Sequence, residues 1–256
     1  MPVMPGAEPY SHNGDSTGVL LCHGFTGTPA SMRPWAEYLT SAGLSVSLPR
    51  LPGHGTTWQE MARTRWEDWY AEVDRAYEEL RSRTAEVFAM GLSMGGCLAL
   101  RLAEVRGDGV AGLVLVNPSL ASDTKLFLLA PVLKLFVPSL PGVGSDVKKE
   151  GVRELAYDRM PVRAAASLPR MWRLTRNRLG EVSQPVLVYR STVDHVVGPA
   201  SMKVLQAHLP AARLTVRDCP DSYHVATIDN DAAEIFAGSL AFVRAHTRAG
   251  REASAE

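Results

Sequence analysis

Three residues set far apart in this sequence have the types and the chain order needed for nucleophilic catalysis: Ser93, Asp194 and His224. Ser93 lies in Gly91-Leu92-Ser93-Met94-Gly95, a G-x-S-x-G pattern between an apolar run, Val87 to Met90, and a helix-like run, Gly95 to Arg106. At a strand-to-helix junction that pattern is a nucleophile elbow, which lifts the serine hydroxyl clear of the backbone at a helix N-terminus. The turn is tight enough that a Cβ at Gly91 or Gly95 is expected to strike neighbouring backbone. A serine hydroxyl is a weak nucleophile at neutral pH, so it needs a base, and the base needs an orienting group. Asp194 follows the apolar run Val186 to Arg190, and His224 follows Arg213 to Arg217. Both offsets place these side chains in loops beyond strand ends, where crevices open in parallel α/β sheets. His224 is therefore the expected base and later acid, with Asp194 holding its tautomer.

The other titratable residues fit these roles less well. Asp218 and Asp221 stand beside His224 itself, and Asp123 and Asp146 fall in a segment of different character. His195 adjoins Asp194 and reads as a loop residue. His54, within Pro52-Gly53-His54-Gly55, reads as structural, and His12, His208 and His246 as surface residues. An oxyanion needs two aimed N–H donors. The backbone of Met94, next to the nucleophile, supplies one. The glycine-rich run His23-Gly24-Phe25-Thr26-Gly27 supplies the other, with the Phe25 amide the best candidate.

These groups need a scaffold, and the pattern along the chain describes one. Apolar strand-like runs (Gly18 to Cys22, Leu44 to Leu48, Val87 to Met90, Val110 to Val116, Pro185 to Tyr189, Arg213 to Val216) alternate with helical ones. That alternation predicts a mostly parallel sheet with helices on both faces. Trp66, Trp69, Tyr70, Val73, Tyr77 and Leu80 recur at helical spacing. Ser31 is placed to cap a helix carrying Met32, Trp35, Leu39 and Ala42. Leu98, Leu102 and Val105 are expected to form the buried face of the elbow helix. Ile235, Phe236, Leu240 and Val243 are expected to point inward from a last helix, Ala232 to His246, and the tail after Thr247 is expected to be mobile.

The 256 residues suit one large α/β domain spanning residues 1–256. Residues 119–180 break the alternation. They show no clear strand and contain Pro131, Pro138, Pro141, Pro161 and Pro169, so they read as a helical cap inserted in that domain. The 27 basic and 27 acidic residues balance, which gives no electrostatic reason to expect nucleic acid. Three cysteines without metal-ligand spacing argue against a disulfide framework or zinc site. No basic-then-apolar leader is seen, and the most apolar segment, Leu126 to Val137, is too short to span a bilayer of roughly 20 apolar residues. The expected setting is cytoplasmic. No cofactor or metal is called for.

These residues resemble the α/β-hydrolase superfamily, and within it the bacterial carboxylesterases and monoacylglycerol lipases with a small lid. The match is carried by His23-Gly-Phe-Thr-Gly-Thr-Pro, Leu51-Pro-Gly-His-Gly-Thr, Gly91-Leu-Ser-Met-Gly-Gly, Glu154-Leu-Ala-Tyr157, Asp194-His-Val-Val and Ser222-Tyr-His-Val-Ala-Thr227. The resemblance implies the α/β-hydrolase fold, the triad Ser93, Asp194 and His224, and an oxyanion hole from Phe25 and Met94. It also implies that Glu154 contacts a glycerol head, where the residues alone would equally suit an ordinary exposed helix carboxylate. The arginines at 163, 170, 173, 176 and 178 match no family role. They suit either a solvated helix face or transient contact with an anionic lipid surface. Leu126 to Val137 suits either an acyl tunnel or packing of the cap on the sheet. The expected substrate is a small lipophilic ester. A thioesterase or carbon–carbon hydrolase on the same triad, or a silent hydrolase-like binding protein, are the alternatives. Aspartate-elbow dehalogenases and epoxide hydrolases are disfavoured by Ser93.

Overall fold

The computed structural model describes residues 2–124, 132–142 and 144–253. Its seven-stranded sheet runs β1 (Tyr10–His12), β3 (Ser45–Leu48), β2 (Thr17–Cys22), β4 (Glu86–Leu92), β5 (Gly112–Val116), β8 (Val186–Ser191) and β9 (Leu214–Cys219). All neighbours are parallel except the edge pair β1 and β3. This is the mostly parallel sheet with helices on both faces expected from the alternation of patterns, in the arrangement the resemblance implies. β1 was not legible, because Tyr-Ser-His is short and half exposed. Its place is set by cross-strand pairing with Leu48, Ser47 and Val46.

The period-2 geometry of the strands divides the core in two. Leu20, Cys22, Val87, Ala89, Leu113, Leu115, Val186 and Val188 face one side and pack on helices α3 (Trp66–Arg81) and α4 (Met94–Arg106). The alternate residues Val19, Leu21, Val46, Phe88, Met90, Val114 and Leu187 face the other, against α1 (Arg33–Ser41) and α8 (Ala232–His246). Burying each Leu or Phe side chain contributes roughly 1.5–3 kcal/mol before ordering costs, so both faces are committed. Cys22, Cys97 and Cys219 are free and buried within this packing.

Local expectations failed where tertiary contacts decide. Ser31 is not a helix cap. It ends a short 3-10 turn, Pro29–Ser31, that Thr28 caps, and its hydroxyl donates to the Thr28 carbonyl. Val105 is 45% exposed, whereas α4 buries nearly every other residue from Met94 to Glu104, because it lies between the sheet and the segment above it. Within the tail, Arg248–Ala253 forms a short helix. Residues 119–180 are not purely helical. β6 (Ser139–Pro141) and β7 (Arg159–Pro161) pair antiparallel, followed by helices α5 (Val162–Ala165) and α6 (Leu168–Arg176). Strands of three residues containing proline carry no periodic signal, which is why this pair was invisible.

Candidate active site

The elbow forms at the end of β4. Ser93 has φ 55° and ψ −119°, a region that costs on the order of 1–3 kcal/mol for a non-glycine residue. Four backbone bonds hold it there: its N–H to the Val116 carbonyl at 2.9 Å, and its carbonyl to the N–H groups of Ser119, Gly96 and Cys97 at 3.0, 3.0 and 3.4 Å. The flanking glycines are required by space. A Cβ on Gly91 would lie 2.3 Å from the Gly95 carbonyl, and one on Gly95 would lie 2.0 Å from the Cys22 carbonyl oxygen.

Asp194 and His224 come together from the loops after β8 and β9. His224 Nδ1 and Asp194 Oδ2 are 2.8 Å apart, and both side chains are over nine-tenths buried. The other oxygen of Asp194 accepts the N–H groups of Val196 and Val197, each at 2.8 Å. Burial alone would raise the Asp194 pKa. The His224 hydrogen bond and charge, with the two N–H donors, outweigh it and hold the carboxyl below its usual value. Asp194 is thus ionised at neutral pH, as an orienting acid must be.

Ser93 and His224 line one cavity of about 500 Å³ together with Phe25, Met94 and Glu154. Met94 is the first residue of α4, so its N–H belongs to the helix's unsatisfied first turn. The loop bearing Phe25 is held by a buried imidazole. His23 Nε2 accepts the Leu51 N–H at 3.2 Å, so Nδ1 carries the proton and donates to the Gly24 carbonyl at 3.0 Å. Burial pushes the His23 pKa down to about 4, so the ring stays neutral in this role. His54 is likewise buried, with its pKa well below the usual value through burial, and it packs edge-on to His23 at 5.0 Å. That is the structural role expected of it. A Cβ on Gly24 would sit 3.4 Å from the Ser93 Cβ, so this loop approaches the nucleophile closely.

Glu154 is not an exposed helix carboxylate. It is half-buried in non-helical backbone against the loop that bears Phe25. The Thr28 hydroxyl donates to the Leu155 carbonyl and the Tyr157 N–H to the Thr26 carbonyl, at 3.0 and 3.1 Å. An added Cβ at Gly27 would lie 2.6 Å from Glu154 Oε1. Burial raises the Glu154 pKa to about 7, against the opposing pull of His224 and the Ser31 hydroxyl.

The remaining cavity wall is mostly apolar, from Leu92, Leu140, Met160, Leu168, Trp172 and Val225. None of the described residues of the segment expected to form a tunnel lines it. Leu126, Phe127, Leu128 and Leu129 lie outside the described residues. Val132, Leu133, Leu135, Phe136 and Val137 do not line the cavity, and Val132, Leu135 and Phe136 face solvent, so they do not pack the cap on the sheet either. The β6–β7 pair and α6 occupy the positions over the serine instead.

Two residues went unread in the sequence. Asn117, the residue just after the run Val110 to Val116, has φ 45° and is buried. Its Nδ2 donates to the His224 carbonyl at 2.8 Å and to Ser191 Oγ at 2.9 Å, while its Oδ1 accepts the Ser191 N–H at 2.8 Å. An asparagine ending a strand beside the elbow strand was the available signal, since Asn tolerates that backbone region. Asp146, dismissed as a cap residue, lines the cavity and accepts the His224 N–H at 3.1 Å.

Fold and site together define an α/β hydrolase with serine at the elbow. The comparisons with known proteins make this narrower. A family model described as serine aminopeptidase, S33, matches residues 16–231, and the chain belongs to that family of hydrolases. It is 40% identical over 246 residues to the thermostable monoacylglycerol lipase of Bacillus sp. strain H-257, covering 96% of this chain and 97% of that one. It is 26% identical to a carboxylesterase of Bacillus subtilis strain 168, covering 88% and 91%. Among solved structures, one reported for the metagenome-derived lipolytic enzymes LipS and LipT superposes with a TM-score of 0.92 at 40% identity, covering 96% of this chain and all of that one. Among the described residues no helix is long and apolar enough to cross a membrane.

Proposed function

We propose that this chain is a serine carboxylic-ester hydrolase acting on monoacylglycerols and short- to medium-chain acyl esters, with residues 119–180 as a cap within a single domain. The observation that carries the reading is one cavity shared by Ser93, the Asp194-paired His224, two candidate oxyanion amides, an apolar wall and Glu154. Its volume falls within the roughly 300–1,000 Å³ of small-molecule sites. The relatives named as monoacylglycerol lipase and carboxylesterase support the same reading.

In this mechanism His224 takes the Ser93 proton as Oγ attacks the ester carbonyl. The Phe25 and Met94 N–H groups receive the developing oxyanion. Collapse breaks the ester C–O bond, and His224 returns the proton to the departing alcohol. Water then attacks the acyl-enzyme with His224 again as base, releasing the acid and restoring Ser93. Asp194 stabilises the imidazolium in both halves.

The acidic groups in the cavity favour an ester over a peptide amino terminus, despite the family's peptidase description. Asp146 is already engaged by His195 and His224. Glu154, with a pKa near 7, is only partly charged at neutral pH. Among the described residues lining the cavity, no free pair of carboxylates faces an incoming ammonium. A half-ionised carboxyl suits hydroxyl groups, as on a glycerol head.

A substrate panel tests this. We expect monoacylglycerol hydrolysis with triacylglycerol turnover at least about 100-fold lower. Glu154→Gln is expected to lower kcat/KM for a monoacylglycerol by about 10-fold or more, the range of one hydrogen bond to a charged group, and to leave nitrophenyl butyrate nearly unchanged. Glu154 ionises as pH rises through about 7. The ratio of monoacylglycerol to nitrophenyl butyrate kcat/KM should therefore rise from pH 6 to 8 in the wild type, a ratio that cancels any pH effect common to both substrates. A ratio flat with pH and unmoved by the substitution would remove Glu154 from substrate recognition.

The cap also has the surface for transient contact with lipid. Val132, Leu135 and Phe136 are 59, 72 and 79% exposed. Lys134 on the same turn joins Arg63, Arg65, Arg163 and Arg170 around a second, basic groove. Basic side chains near an anionic bilayer contribute about 1 kcal/mol each. Co-sedimentation with vesicles rich in phosphatidylglycerol is expected, weakened several-fold by replacing Leu135 and Phe136 with serine. Equal binding to purely zwitterionic vesicles would count against the charged component.

A further inference from the structure

The stretch 146–149, inside the segment expected to be a lid, is fastened to the loop that carries the base. Asp146 Oδ2 accepts the His224 N–H at 3.1 Å and the His195 N–H at 3.2 Å, and its Oδ1 lies 2.7 Å from His195 Nδ1. The Asp146 carbonyl accepts the next amide, Val225 N–H, at 3.1 Å. Two residues on, the N–H groups of Lys148 and Lys149 donate to the buried carboxylate of Asp229, at 2.7 and 2.8 Å. Asp229 also accepts the N–H of Tyr223, immediately before His224, at 2.9 Å. His195 adjoins Asp194 and stands edge-on to the Tyr223 ring at 4.8 Å.

The consequence is a crossed pair of carboxylate–imidazole contacts. Asp194 holds the His224 ring, while Asp146 holds the His224 main chain and the His195 ring. One nearly buried carboxylate, its side chain 10% exposed, thereby joins the cap to both loops that bear the acid and the base. Without it, two backbone N–H groups lose their acceptor at once, and the loop positions of both triad members are released together.

We propose that Asp146 is a positioning residue for the catalytic step: it sets the main-chain position of His224 relative to Ser93 and ties that position to the placement of the cap. This rests on the triad reading above. A displacement of about 1 Å at a reacting group costs on the order of 100-fold in rate. Ground-state binding, which the apolar wall and Glu154 provide, would be little affected. The expected signature is therefore in kcat rather than KM.

The experiment compares Asp146→Ala, Asp146→Asn and Lys148→Ala in the full-length protein, with nitrophenyl butyrate as substrate. Asp146→Ala is expected to lower kcat by about 30- to 100-fold with KM within about 3-fold. Asp146→Asn, which keeps one oxygen to accept the His224 N–H, should recover most of that loss. Lys148→Ala removes only the side-chain pair with Asp221 on the same stretch and should leave kcat unchanged. Proton NMR adds a readout that general destabilisation would not move. The imidazole N–H shared between His224 and Asp194 should give a far-downfield resonance, broadened or shifted in Asp146→Ala at temperatures well below its Tm, and restored in Asp146→Asn. A wild-type kcat and resonance in Asp146→Ala would overturn the proposal, as would a loss of kcat tracking only the unfolded fraction. Ser93→Ala and His224→Ala serve as controls. If those retain activity, the triad reading itself fails. If they are inactive while Asp146→Ala is fully active, only the positioning role fails.

Discussion

Ser93→Ala is expected to lower kcat for nitrophenyl butyrate by about a million-fold and to abolish stoichiometric labelling by a fluorophosphonate. The magnitude follows from what is lost. Without Oγ no acyl-enzyme forms, and the remaining cavity can offer only the oxyanion donors and binding, which give about 10³–10⁴ over water in such sites. The substitution should be tolerated by the fold. Ser93 contributes its strained backbone and four main-chain hydrogen bonds to the elbow, and alanine can make the same bonds. The check is paired: intact-mass labelling of the wild type at one equivalent, and none in the variant at an unchanged Tm. A stable, well-folded wild-type protein that takes up no label would defeat the serine-nucleophile reading and revive a silent binding protein.

Asp194→Asn is expected to cost about 10⁴-fold in kcat with little change in KM. The structure shows why an isosteric change should be so damaging. One carboxylate oxygen is held by the N–H groups of Val196 and Val197. In the asparagine variant these donors require the carbonyl oxygen at that place, which turns the NH₂ toward His224 Nδ1. The imidazole must then accept at Nδ1 and carry its proton on Nε2, so it cannot take the proton of Ser93. The loss should therefore persist from pH 6 to 8, since the fault lies in the tautomer. Single-turnover acylation by nitrophenyl acetate measures it directly. A kcat within about 10-fold of wild type would take Asp194 out of the orienting role.

The class of chemistry and most of the sheet were legible because they are written locally. The elbow needs small residues at two positions and a turn between an apolar run and a helix, and each is visible within twenty residues. The core strands announce themselves because both faces are buried, so their runs are continuously apolar. The offsets of Asp194 and His224 beyond such runs were enough to pair them, and the 2.8 Å contact agrees.

What failed was information that no local window contains. Val105 has the right spacing for the buried face of α4, yet the surrounding elements leave it in solvent. Among the described residues, β6, β7 and α6 supply apolar residues that share the cavity with Ser93, and none comes from 132–137; a half-exposed three-residue strand is placed by its partner and not by its composition. In the sequence Glu154 suits a surface carboxylate equally well; the bonds of its neighbours Leu155 and Tyr157 to Thr28 and Thr26 are what set it beside Gly27 in the cavity.

By itself, then, the sequence determined a parallel α/β scaffold, a serine at its elbow, and an aspartate and a histidine that follow in order beyond later strands. These are set by short-range sterics and by the periodicity of burial. Only the tertiary structure decided which carboxylates face the site. Asp146 meets His224 across 78 residues and Asn117 meets it across 107. Backbone N–H and C=O groups are the same at every position, so a side chain's choice among them is fixed only once the chain has folded and brought the loops together.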